Sequence, residues 1–262
     1  MVADLTNDIK VVLIIEYDGT DYHGSQYQKN APTVQEEIEK ALKKLTGKQT
    51  RIKMASRTDA GVHAAGQAAS FVTDSALPVE SYIDGLNHFL PEDISVREVF
   101  TADTAFDVRR GATSREYRYT ILNSQTRSPI RNRFTCRVPG KLDVKAMNRA
   151  CKALAGKHDL SSFVSSEETA ARKNTVRNIH RAEFKQEDDL IHFDIVADSF
   201  LPHQVRNTIG SLIKVGQGKM TVKEFKNMID AKTPGLAGPT APPSGLCLVR
   251  VNYPESARRY RG

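Results

Sequence analysis

The apolar residues of the first hundred positions change period again and again, and that switching restricts the fold more than any other feature of the chain. The run "KVVLIIEY" (10–17) is short and almost continuously apolar, as a strand buried on both faces would be. Thr33 and Glu36 then stand in capping-box spacing, followed by apolar residues at Val34, Ile38, Ala41, Leu42 and Leu45 and by Gly47. That is an amphipathic helix with a start and a stop. "TRIKMA" and "AASFV" read as strands, "VESYIDGLNHFL" as a helix, and "ISVREVF" as a further strand. The order is β-α-β-β-α-β, a split-βαβ pattern.

From residue 114 the pattern returns in looser form. "SREYRYTIL" reads as a strand, Asp143 to Leu154 as a helix, and "TVRNIHRAEF" and "LIHFDIVA" as strands. A helix over Leu201–Val215, a short one at 221–230 and the strand "GLCLVRV" complete the chain. The expected fold is therefore α+β: two tandem split-βαβ units, ferredoxin- or RRM-like, with largely antiparallel sheets; such sheets offer an open face on which RNA-binding domains stack bases, so the units are expected to be joined around a central RNA-binding cleft. The expected boundary lies between Phe100 and Val108, giving an N-terminal unit over 1–105 and a C-terminal unit over 106–262. The Pro- and Gly-rich stretch "KTPGLAGPTAPPSG" (232–245) reads as a loop before the last strand.

Charge is unevenly placed. The net charge is +7, and the segment Arg109–Arg137 has eight arginines, no lysine and one acid, Glu116, so its surplus equals that of the whole chain. The end, "ARRYRG", adds a second basic cluster. Arginine favours bidentate phosphate contacts and stacking on bases, and Tyr117, Tyr119 and Phe134 are interleaved with this cluster. A solvated basic face has the same composition, but focused charge with aromatic interleaving points to nucleic acid. Arg109, at the head of the cluster, is a candidate RNA contact.

Other chemistries lack their residues. In "GQGK" (216–219) the first phosphate-loop glycine would fall on Ile213, and Met220 stands where a Ser or Thr would hold magnesium. No GxGxxG follows a strand, and HxE with PCxxC, HExxH and GxSxG are all missing. Cys136, Cys151 and Cys247 are scattered, without CxxC spacing, and read as small core residues. The expectation is that, whatever the protein does, it works without metal or organic cofactor. "VVLII" (11–15) ends at Glu16 and is too short to span a bilayer, and the segment before it lacks a signal-peptide layout, so a cytoplasmic protein is expected.

One loop concentrates chemistry. "MASRTDAGVHAAGQ" (54–67) holds Arg57, Asp59, Gly61 and His63 between two strands. As a plain turn, Asp59 would be a turn residue, Gly61 would supply a positive φ, and Arg57 and His63 would decorate the surface. The surrounding motifs suggest more. "YDGTDYHGSQYQKNAPTVQ" (17–35), "SRTDAGVHAAGQ", "FDVRRGATSREYRY" (106–119), "GKHDLSSF" (156–163), "SFLPHQVRNTIGSLIKVGQGKM" (199–220) and "APPSGLCLVRVNY" (241–253) together resemble, in order, the A-type tRNA pseudouridine synthases.

The resemblance implies isomerisation of uridine to pseudouridine at positions 38, 39 and 40 of the tRNA anticodon arm, by a homodimer. It implies that Asp59 is the essential catalyst, that Tyr117 lies against the target base, that Arg206 pairs with the aspartate, and that Arg57 helps displace the nucleotide from its stack. Cofactor independence suits an isomerisation with no net redox change. Two departures stand out: Ser25 lies where the family usually has tryptophan, and Gln204 where methionine is common. Two other readings compete. One is a catalytically silent RNA-binding or RNA-chaperone protein, the other a hydrolase of nucleoside glycosidic bonds. Hydrolysis usually uses two carboxylates, and this loop offers one.

Overall fold

The computed structural model describes residues 8–167 and 174–257; the arginine-rich end at 258–262 lies outside them. The chain forms two compact units: one comprises the chain up to Thr113 together with the residues from Leu248, the other Ser114–Cys247. The fold is α+β, with mostly antiparallel strand pairing. Among the described residues, no helix is long and apolar enough to cross a membrane.

In the first unit β1 (Ile9–Tyr17) lies between β3 (His63–Thr73) and β4 (Ile94–Ala102), antiparallel to both. The short β2 (Lys53–Met54) pairs the outer side of β3. Being central and covered on both faces, β1 can be apolar at consecutive positions: Val11, Val12 and Leu13 are all fully buried. Helix α1 (Val34–Thr46) begins where the Thr33 side chain accepts the Glu36 N–H and ends at Gly47, whose φ is 73°. Helix α2 (Ser81–Phe89) buries Tyr82 edge-on against Phe71 of β3, ring centres 5.5 Å apart. The connection after β4 is held by Lys10, whose ammonium donates to the carbonyls of Thr104 and Phe106, and by the Lys53–Asp107 pair at 2.7 Å. Hydrogen bonding to Lys53 holds the Asp107 carboxyl well below the usual carboxylate range.

In the second unit β5 (Ser114–Leu122) pairs β9 (Leu190–Ala197), which pairs β8 (Val176–Glu187), which pairs β7 (Gly156–Asp159). The two-residue β6 (Cys136–Arg137) adds a parallel pair to β5. Neither β6 nor β7 is expected from periodicity, because two to four residues, largely polar, carry no readable alternation. Helix α3 (Val144–Cys151) is capped by Asp143, whose side chain accepts the Ala146 N–H. Helices α4 (Gln204–Gly216) and α5 (Val222–Ala231) follow; Thr221 and Glu224 cap α5 reciprocally. Strand β10 (Leu246–Asn252) is the last strand, and Thr113 N–H donates to the Asn252 carbonyl at 2.8 Å. The thiols of Cys136 and Cys151 are buried, and burial pushes Cys151 up to about 12. These are inert core groups.

Candidate active site

The loop 55–62 leaves β2 and enters β3, and backbone groups on both sides of Asp59 have partners in the first unit. Ala55 N–H donates to Ala68 C=O at 2.8 Å, and the fully buried Gln67 side chain bonds both the N–H and the C=O of Ser56. Thr58 N–H donates to Ser25 Oγ at 2.9 Å while Ser25 N–H donates to Thr58 C=O at 3.1 Å. The Thr58 hydroxyl meets the Tyr17 hydroxyl at 2.8 Å. On the far side of Asp59, Val62 N–H closes a turn onto Asp59 C=O at 3.2 Å, and Gly61 N–H donates to Tyr22 C=O. Gly61 sits at φ 76°, the left-handed position that such a turn requires.

The other wall of the cradle is the opening motif. Gly24 has φ 94°, and a Cβ there would come 2.8 Å from the Thr58 carbonyl, so this position demands glycine on two counts. His63 is buried rather than decorative, at 4% exposure, and its Nδ1 accepts the Gly19 N–H at 3.1 Å. The Asp18 carboxylate also lies 3.1 Å from that nitrogen. Asp18 Oδ1 also accepts the Thr20 N–H and hydroxyl, so His63 and the start of the opening motif are tied together. The opening motif and the aspartate loop are thus one hydrogen-bonded body, with Asp59 partly exposed on it and Arg57 exposed. The family resemblance points to Asp59 but gives no role to Ser25, Thr58 or Tyr17; the glycine spacing of the opening motif is the one signal that could have found them.

Arg109 belongs to the same unit. It is exposed, in a turn where Asp107 Oδ1 accepts the N–H groups of Arg109 and Arg110 at 2.9 and 3.0 Å.

Tyr117 and Arg206 belong to the second unit. Tyr117 is 8% exposed on β5, its ring edge-on to Phe200 with centres 5.1 Å apart and planes at 87°. It packs as strand aromatics do, on the same face as Tyr119, which is fully buried and donates to the Pro242 carbonyl at 2.9 Å. Arg206 lies in the first turn of α4. Its Nε donates to Ala241 C=O at 2.8 Å, and its own C=O accepts the Ala241 N–H at 3.1 Å, which ties the Pro-rich loop to the helix. Helix α4 starts three residues later than its apolar pattern suggests because His203 takes φ 54° and the buried Gln204 side chain accepts the Leu201 N–H at 2.8 Å. Gln204 is therefore a buried acceptor that fixes the turn ahead of the helix, a bond that a thioether would make only weakly.

Arginines of the cluster that lie in the second unit have partners there. Arg115 donates to Asp198 C=O, Arg118 forks onto Asp194 at 2.7 and 2.9 Å, Arg131 forks onto Asp189, and Arg137 donates to Gln125 C=O. Burial disfavours the charged form of Asp194, but the hydrogen bonds to Arg118 together with the positive charges of Arg118, Arg181 and Lys185 outweigh it and hold the carboxyl below its ordinary value.

An α+β chain with an aspartate held on a glycine-lined cradle has close counterparts. The chain belongs to the tRNA pseudouridine synthase family, whose profile matches residues 13–109 and 150–254. It is 44% identical over 246 residues to the tRNA pseudouridine synthase A of Geobacter sp. (strain M21), covering 94% of this chain and 99% of that one. It is 45% identical over 243 residues to that of Acetivibrio thermocellus, covering 93% and 99%.

Proposed function

We propose that this chain is an isomerase that converts uridine to pseudouridine in tRNA, acting in the anticodon arm at positions 38, 39 and 40. The bond from C1′ to N1 is broken and the base rejoins through C5, with Asp59 as the essential catalyst. The observation that carries this reading is the fixation of Asp59 in a chain of this family: the residue before it is bonded at both backbone groups and the turn after it is closed. A reacting carboxylate gains from such fixed geometry; an RNA chaperone does not need it. Tyr117 supplies the ring against the extruded base, Arg206 the cation that keeps Asp59 ionised, and Arg57 and Arg109 contacts to the RNA. Extruding the nucleotide costs a few kcal/mol of unstacking, which arginine–phosphate contacts offset.

The reading extends to architecture. The order β4-β1-β3-β2 in the first unit is that of a split βαβ, and β5-β9-β8 repeats its inner part, which supports two related halves. We read the protein as a cytoplasmic homodimer.

Product analysis on tRNA tests the chemistry. The wild type is expected to give a base of unchanged mass that reacts with carbodiimide, and Asp59→Ala none of it while still binding tRNA. Free uracil would mean hydrolysis, and unimpaired conversion by Asp59→Ala would remove the aspartate from the mechanism.

A further inference from the structure

We propose that Ser25 is a positioning residue for the reaction, its hydroxyl setting the place of Asp59 through the Thr58 N–H. The proposal rests on the reading of Asp59 as the catalyst. Ser25 is fully buried and is a node between two elements. Its C=O accepts the Gln35 N–H of the first turn of α1 at 3.0 Å, its N–H donates to Thr58 C=O at 3.1 Å, and its Oγ accepts the Thr58 N–H at 2.9 Å. Any residue at position 25 supplies the two backbone bonds. The third needs a side-chain acceptor one atom beyond Cβ. Without it the N–H of Thr58, a residue only 7% exposed, loses that partner.

The segment then has a reason to move. The Thr58 hydroxyl would still hold Tyr17, and Gly61 would still hold Tyr22. Release would therefore be confined to the peptide joining Arg57 to Thr58, immediately before the catalyst. The consequence is a shift in the carboxylate's position, not loss of the fold, because the Gly24 and Gln35 contacts of the motif are backbone-made. In a chain whose position 25 lacks an acceptor, another group must do this work.

Single-turnover conversion, tRNA affinity and thermal unfolding are measured for Ser25→Ala and Ser25→Thr, with Asp59→Asn as reference. Ser25→Ala is expected to slow conversion about 10- to 100-fold, the effect of a small misplacement of a reacting group, with tRNA affinity unchanged. Ser25→Thr, which keeps a hydroxyl, is expected to recover most of the rate. Hydrogen exchange on the wild type provides a measurement free of any folding defect: the Thr58 amide should be strongly protected. A wild-type rate for Ser25→Ala, a parallel loss of affinity and rate, or rapid exchange at Thr58 overturns the proposal. An active Asp59→Asn overturns instead the reading beneath it.

Discussion

Tyr117 separates packing from chemistry at the level of one side chain. Its edge contact with Phe200 is a core interaction, so Tyr117→Ala is expected to destabilise the protein by about 3–5 kcal/mol. Tyr117→Phe keeps the ring and the packing. If the phenol serves the reaction, this variant should fold and bind tRNA yet convert it more slowly. Equal rates would reduce Tyr117 to a ring. Ser25 and Gln204 teach a related lesson: both depart from the family's usual residues, and both are buried hydrogen-bond acceptors for a specific N–H. A departure from a motif can carry a local function of its own.

Elements were legible where periodicity ran long. The α1 helix has its cap and stop at Thr33 and Gly47 because those residues act through local backbone chemistry that a sequence displays. The two outer elements β6 and β7 were not legible, since their pairing depends on distant strands rather than on their own residues. Charge was legible only in part. The arginines of β5 look like an RNA-facing set, but Arg115 and Arg118 face acceptors brought near by β9 and the turn after it, which only the fold reveals. The motif singles out Asp59 as a candidate; the cradle beneath it was not legible, because it unites residues some thirty to forty positions apart. The Arg118–Asp194 pair makes a pH prediction for the β5–β9 pairing. With its folded pKa depressed, Asp194 contributes stability that is present above its unfolded value of about 4 and is lost as pH falls through the folded value. Asp194→Ala should cost about 1.5–3 kcal/mol at neutral pH. It should also flatten the fall of stability with acid, as followed by urea unfolding across that range.

For the whole molecule, the internal engagement of four arginines limits how many can serve as RNA contacts. If all eight met phosphates, the segment would add about −6 to −7 to the slope of log K against log salt, and each arginine held elsewhere would take about 0.7–0.9 from it. Arg127→Ala, on an exposed loop position, should reduce the measured slope by about 0.7–0.9. Arg118→Ala should leave the slope alone and lower stability instead. The measurement that bears most directly on the account is site-resolved pseudouridine mapping on tRNA treated with wild-type and Asp59→Asn protein. The wild type is predicted to modify uridines at 38, 39 and 40 and the variant none, although it binds the same tRNA. Modification by the variant at those positions, or a wild type that leaves them as uridine, contradicts it.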